Sequence, residues 1–322
     1  MTSITSPGQK SRPLEGELRP GTRPSRRQRL IRAAFGRHPI GMLFGAPYAL
    51  FIALLFAYPL FLAVWISFHR YFFAAPGVSV PRPYVGLANY EAVLTDPAVR
   101  QAFLNILIFL VINVPLTVML SLLLATALNA AIPFRTFFRT SYYVPYVTAS
   151  VAMIGVWLFM FGTGGIVDHV LGPLAPSPSF LVNQNWAMPS IAFYVTWKGL
   201  GFFILLYLAA LQGVPKELYE AAKVDGASWW RGFWSVTVPG VRQVTTLVTL
   251  LAIITGANLF TEPYLLTAGG GPNGKSTSPV LQIYQTGIEQ NRPDFASALG
   301  VILVIGVLLI TGVQWLLQRR QA

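Results

Sequence analysis

Six stretches of this sequence run for 19 or more residues with at most one charge, and nothing else in it limits the fold so sharply. About 20 apolar residues in helical form cross a bilayer. Inside hydrocarbon the backbone finds no water, so a crossing segment must be a helix or part of a closed barrel. Barrel strands read as alternating segments of about ten residues, and these runs are longer and uninterrupted. The expected spans cover residues 41–68, 102–130, 138–161, 187–212, 243–266 and 295–317. Only 11% of the residues are charged and 54% are hydrophobic, against about a quarter charged in soluble domains. The fold class that follows is an all-α polytopic membrane protein with six transmembrane helices, and a soluble enzyme is excluded. Pro47, Pro59, Pro115 and Pro145 fall inside spans, where neighbouring groups can satisfy the freed carbonyls.

The net charge of +12 raises the question of nucleic acid, which the placement of the charges answers. Nine of the 23 lysines and arginines lie in residues 1–39, a Pro-, Ser- and Gly-rich stretch too polar to build a core and read as a disordered basic tail. Six spans put both termini on one side. With the amino terminus inside, the outer segments hold only Arg70, Arg82, Arg100, Lys275 and Arg292, Lys198 is in the membrane, and all other positives face the cytoplasm. This is the positive-inside pattern, so both termini are expected in the cytoplasm and no nucleic acid is expected. The absence of cysteine removes disulfides, thiolate metal sites and Cys nucleophiles.

The inner loop 214–239, between the fourth and fifth spans, reads VPKELYEAAKVDGASWWRGFWSVTVP. Pro215 suits a first helical turn, Glu217 complements the positive helix end, and Asp225-Gly226 supplies a stop. A second short helix is expected over about 227–236 until Pro239 breaks it. Exposed Trp229, Trp230, Phe233 and Trp234 would give this helix-turn-helix a docking face.

These residues resemble a known family. Glu220-Ala221-Ala222, then Gly226, then Val236-Thr237-Val238-Pro239 is similar to the EAA loop of permease subunits of bacterial binding-protein-dependent ABC importers, with two valines where the family has Ile and Leu. Val85-Gly86-Leu87-Ala88-Asn89-Tyr90, Val144-Pro145-Tyr146 and Leu265-Leu266-Thr267 with the Gly run to Pro272 resemble its sugar-importer branch, of maltose or glycerol-phosphate type, F-type subunit. The resemblance implies a permease domain over 40–320. It also implies that Glu217, Glu220, Ala221, Ala222, Asp225, Gly226 and Pro239 couple to an ATPase. A homologous second permease, two cytoplasmic ATPase subunits carrying ATP and Mg, and an extracytoplasmic solute-binding protein are the implied partners, with no cofactor on this chain. The location implied is the plasma membrane of a prokaryote.

Residues Gly269–Ser276 spell GGGPNGKS, which matches a phosphate-binding loop letter for letter. That loop must join a strand to a helix whose amino end holds phosphate. Here a membrane span precedes it and the topology places it outside, so it reads as a Gly-rich outer loop facing the binding protein.

Lys198 lies 11 residues from the outer start of its span, about 16 Å deep, where a lysine costs roughly 2.5–3.5 kcal/mol on insertion scales. It should face water or a partner, and Glu262 near the outer end of span five is one possible partner. In the resembled family, sugar contacts come from spans four and five, and matching the motifs carries those positions to Val195, Lys198, Gly199, Phe202, Gly256 and Leu259, with Asn258 adjacent. The family places Asn at several of these, so maltose itself is disfavoured, and Lys198 suits either an anionic substrate or a structural role. Trp186, Trp197 and Tyr264 would stack on sugar or on one another. Two rivals need other residues. An ion-driven secondary transporter needs midplane carboxylates, of which only shallow Glu262 is available. A membrane glycosyltransferase needs a catalytic cluster, whereas His38, His69 and His169 are scattered.

Overall fold

The structure, a computed structural model, describes residues 39–130 and 133–319. The expected basic tail falls outside them. Helix dominates, and among the described residues the only β pairing is an isolated bridge between His69 and Tyr84. In chain order, α1 (Pro39–Ile52) leads through a π turn (Ala53–Ala57) to α2 (Tyr58–Ser67). After an outer loop come α3 (Ala88–Thr95), α4 (Pro97–Asn129), α5 (Arg135–Val147), α6 (Ser150–Phe161), α7 (Ile166–Leu171) and α8 (Ala187–Leu211). The inner loop contributes α9 (Lys216–Val224), α10 (Trp229–Gly232), a π turn (Phe233–Thr237) and α11 (Val238–Gly240), and α12 (Arg242–Ala257), α13 (Thr261–Leu266), α14 (Pro279–Tyr284), a third π turn (Gln285–Glu289) and α15 (Pro293–Arg319) complete the chain.

Among the described residues five helical stretches are long and apolar enough to cross a membrane: Phe44–Ser67, Pro97–Asn129, Ser150–Leu174, Ala187–Leu211 and Pro293–Leu316. A sixth is a bent pair, Trp229–Gly240 with Arg242–Ala257, meeting at 74°. Residues 44–60 keep every side chain exposed, as a lipid-facing or partner-facing helix does. From Leu60 onward the chain forms one compact unit.

Its spine is α4, whose 33 residues reach about 50 Å, beyond the roughly 30 Å of hydrocarbon. Its start is earlier than the expected residue 102, because Asp96 caps it by accepting from Ala98 N (2.7 Å) and Val99 N (3.4 Å) with Pro97 in the first turn. Pro115 is accommodated without a break. Against α4 lies α8, and a buried bond from Asn113 Nδ2 to Thr196 Oγ1 (2.8 Å) ties the two. Polar bonds of this kind hold membrane helices at roughly 0.6–2 kcal/mol each. In the inner half the core gathers Leu122, Ala125, Phe203, Tyr207, Phe233 and Val248. Ile106, Phe109, Trp157, Ile191, Tyr194 and Leu259 fill the outer half.

Two expected spans are broken. The third is not continuous over 138–161: α5 ends at Val147 and α6 begins at Ser150, with Thr148 extended (φ −74°, ψ 143°) between them. Thr148 Oγ1 donates to Val144 O (2.7 Å) and closes the last turn of α5. α5 then crosses α8 at Gly201, where a Cβ would sit 2.7 Å from Tyr143 Cα. The fifth span does not run unbroken to 266. α12 stops at Ala257, and the carbonyl of Leu259 freed by the break accepts from Ser278 Oγ, which also caps α14.

Candidate functional site

The inner loop folds as two helices closed by one turn. Pro215 precedes α9 and Glu217 lies in its first turn. At the other end, Ala227 N donates to Ala222 O (2.9 Å) and Gly226 N donates to Lys223 O (3.0 Å), the double closure of a Schellman turn. Gly226 holds φ +73° there, a conformation an L side chain avoids by about 1–2 kcal/mol. The spacing Ala222 to Gly226 is thus the spacing the turn requires. Ser228 caps the next helix by accepting from Arg231 N (3.4 Å). Tyr219 and Thr237 share a hydroxyl bond (3.1 Å) that clamps the two helices together.

Pro239 does not end the second helix where the sequence suggested. The helix continues to Gly240 because the π turn Phe233–Thr237 lengthens the ladder just before the proline, with Val238 N donating to Phe233 O. The bend comes at Val241. Gly240 there lies against Val214, whose Cγ2 would be 3.0 Å from a Cβ, so the two stems of the loop meet.

Glu217, Glu220, Ala221, Asp225, Gly226 and Pro239 are exposed, and Ala222 is half-buried. Trp229, Trp230 and Trp234 are exposed as expected. Phe233 is not: it is 5% exposed, stacked on Trp229 (5.5 Å) and packed into the inner core. Helical periodicity explains the difference, since one residue in four of a surface helix must face the protein. Between α9 and this helix a cleft of about 220 Å3 opens, with Thr126 of α4 among its lining residues. The loop therefore presents a charged helix face, with Glu217 and Glu220 among Lys216 and Lys223, beside a tryptophan ridge, both anchored on the membrane core.

The intramembrane positions separate into two groups. Lys198, half-buried, donates from Nζ to Ser150 Oγ (2.7 Å). Its bond goes to a hydroxyl at the start of α6 rather than to Glu262. Tyr194 OH also turns to Ser150, at its carbonyl (3.5 Å). Val195, Trp197, Gly199, Phe202 and Glu262 are half-buried. Trp197 lies 5.4 Å from Trp157, and Phe202 stacks on Tyr146 at 5.2 Å. Gly256 and Leu259 belong elsewhere. A Cβ on Gly256 would meet Leu110 at 2.7 Å and Phe109 at 2.9 Å, and Leu259 is 3% exposed in the outer core. Both pack helices together, while exposed Asn258 turns its amide back to Ile254 O (2.8 Å). Trp186 is edge-on to Phe180, and Tyr264 stacks on Phe260. Ser150 was missed from the sequence because a lone serine in an apolar run carries no signal until the break at Thr148 is known.

The GGGPNGKS segment has none of the architecture of a phosphate loop. Ser276 is fully buried with its hydroxyl on Thr267 Oγ1 (2.8 Å), and Lys275 Nζ bonds Gln101 Oε1 (3.0 Å). Asn105 Nδ2 donates to Gly274 O (2.7 Å) and Thr277 O (2.9 Å), stitching the loop to α4.

With this geometry in place, residues 97–322 match the family described as binding-protein-dependent transport system inner membrane component. The chain belongs to this family. The arabinooligosaccharides transport system permease protein AraP of Bacillus subtilis (strain 168) is 32% identical over 84% of this chain and 85% of its own length. The sulfoquinovosyl glycerol transport system permease protein SmoG of Agrobacterium fabrum is 30% identical over 86% of this chain and 90% of its own. The lactose transport system permease protein LacF of Rhizobium radiobacter is 30% identical over 86% and 92%. In fold, the chain is similar to a chain of the bacterial alginate ABC transporter crystallised with an alginate pentasaccharide-bound periplasmic protein, at a TM-score of 0.74 and 20% identity over 90% of this chain and 97% of that one. Family and fold agree on a multi-pass inner membrane permease subunit.

Proposed function

We propose that this chain is a transmembrane subunit of an ATP-driven, binding-protein-dependent sugar importer. It supplies half of a translocation path, with a second homologous permease as the other half. The observation that carries the reading is the loop 214–239. A family member presents, between its fourth and fifth spans, a rigid two-helix tab with an exposed tryptophan ridge on the side where the positive charges gather. Two separate ATPase chains bind ATP and Mg and dock on Glu220 to Gly226. An extracytoplasmic solute-binding protein delivers the sugar. The named relatives transport arabinooligosaccharides, sulfoquinovosyl glycerol and lactose, which supports an oligosaccharide, disaccharide or related polyol or glycerol phosphate as cargo.

The working mechanism is linkage. ATP closes the ATPase pair, the tab moves with its docking groove, and the bundle exchanges an inward-facing cavity for an outward-facing one. No covalent step takes place on this chain. Lys198 with Ser150, flanked by Trp197 and Phe202, is the polar-aromatic patch offered to the cargo, and Glu262 adds a carboxylate nearby. The charge placement supports cytoplasmic termini, with residues 1–39 as an inner tail and 40–320 as the permease domain. Membership of the family leaves the ion-driven alternative without support.

Co-expression with the neighbouring genes tests the proposal. The chain should retain an ATPase whose hydrolysis rises when the loaded binding protein is added, and a preparation that retains none refutes it. A panel of sugars and glycerol phosphates titrated onto the cognate binding protein then identifies the cargo.

A further inference from the structure

The outer ends of α2 and α15 form a two-part site apart from the residues assigned above to the cargo and the ATPase. Its lower part is an apolar groove of about 810 Å3, bounded by Leu60 and Val64 of α2 and by Ala296, Gly300 and Val304 of α15. Along α15 it runs from Pro293 to Ile305, about 18 Å at 1.5 Å per residue, close to the roughly 15 Å of one leaflet's hydrocarbon. Its upper part is a polar cavity of about 370 Å3 that includes Arg70, Tyr71, Asn89, Arg292 and Asp294 in its lining. The two parts are joined by a pair of bonds between Phe73 and Asn291, Phe73 N to Oδ1 (2.8 Å) and Nδ2 to Phe73 O (3.1 Å).

The charges of the upper part are unspent. Arg70 and Arg292 are exposed, and among the described residues neither guanidinium makes an ion pair; Arg292 lies over the Phe295 ring (4.6 Å). Asp294 receives Phe295 N (2.8 Å) and Tyr71 N (3.4 Å) rather than an arginine. Arg82 covers Tyr71 at 4.3 Å. Three of the five positives on the outer side, where positives are scarce, therefore gather at one corner.

We propose that this corner binds an anionic phospholipid of the outer leaflet, its phosphate between Arg70 and Arg292 and an acyl chain in the groove. A basic pocket at headgroup level above an apolar slot one leaflet deep matches that molecule at both ends. A soluble anion would leave the groove unfilled, and an apolar protein helix would leave two guanidiniums unpaired.

The test uses the assembled transporter in phosphatidylcholine nanodiscs with and without phosphatidylglycerol, read by native mass spectrometry for retained lipid and by thermal unfolding. Wild type should retain phosphatidylglycerol and unfold at a higher temperature with it. R70Q/R292Q should retain roughly 25-fold less, about fivefold per arginine. R70K/R292K should keep most of the binding, and S297W, which fills the groove, should lose it with the charges intact. Equal retention by wild type and R70Q/R292Q overturns the proposal. So does an S297W variant that loses the partner permease while keeping lipid, since the groove would then hold a protein helix. Weaker affinity of R70Q/R292Q for the binding protein at unchanged lipid retention overturns it as well, assigning the arginines to that protein's carboxylates.

Discussion

Replacement of Gly226 isolates what the turn after α9 depends on. No atom lies within 4 Å of the position a Cβ would take, so a side chain meets open space and the whole penalty comes from φ +73°. For alanine that penalty is about 1–2 kcal/mol, and for a β-branched valine it is larger. Asparagine enters this region more readily. α9 has nine residues, too few to hold as a helix alone, so its geometry rests on the two turn bonds and on Tyr219 to Thr237. A loss of 1–2 kcal/mol shifts the formed-to-frayed ratio about 5- to 30-fold. Where that ratio falls below one, affinity for the ATPase drops in proportion to the competent fraction. The assay is the dissociation constant of the nanodisc-held permease for isolated ATPase subunit, with binding-protein-stimulated ATP hydrolysis alongside. The expected order of retained affinity is Gly, Asn, Ala, Val. If G226N is as damaging as G226V, space rather than backbone conformation decides, and the reasoning fails.

Other substitutions probe the membrane core and the outer loop. Gly201→Leu should force α5 away from α8, because even a Cβ would stand 2.7 Å from Tyr143 Cα; a loss of thermal stability exceeding that of Gly199→Ala checks it. Asn113→Leu leaves Thr196 without its buried partner and should lower stability by about 0.6–2 kcal/mol, measured by denaturation in detergent. Lys275→Ala removes a half-buried bond to Gln101 and should leave ATP hydrolysis by the complex nearly unchanged, whereas a true phosphate loop would lose it. Gly270→Ala, at φ +111° and facing the Thr277 hydroxyl, should instead reduce the yield of folded protein, seen by size-exclusion chromatography.

What the sequence made legible is what local rules decide. The apolar runs reveal the spans because hydrocarbon leaves the backbone no alternative. The four-residue step from Ala222 to Gly226 reveals the loop turn because a Schellman closure is built within six residues. The placement of 23 positives supports cytoplasmic termini because the rule sums over whole loops. Features set by contacts far along the chain were not legible. The break after Ala257 depends on Ser278 to satisfy the carbonyl of Leu259, 19 residues before it. Gly256 and Leu259 occupy family contact positions by spacing, yet Phe109 and Leu110 of α4 claim Gly256 and the outer core encloses Leu259. Pro239 would be a helix breaker by composition, and a π turn one step before it removes the conflict. Lys198 was expected to need a partner, and the partner is Ser150, in a different span from the carboxylate weighed for it.

The meeting of Val214 with Gly240 makes the inner loop a tab hinged along a single line. Its entry and exit stems share one packing contact, and Phe233 fixes the tab to the core beside them. On the proposed function, a force applied at the tryptophan ridge would act on α8 and, through the 74° corner at Val241, on α12 in the same stroke. Motion of a docked ATPase parallel to the membrane would then arrive as tilt of two spans together, as a crank turns a shaft.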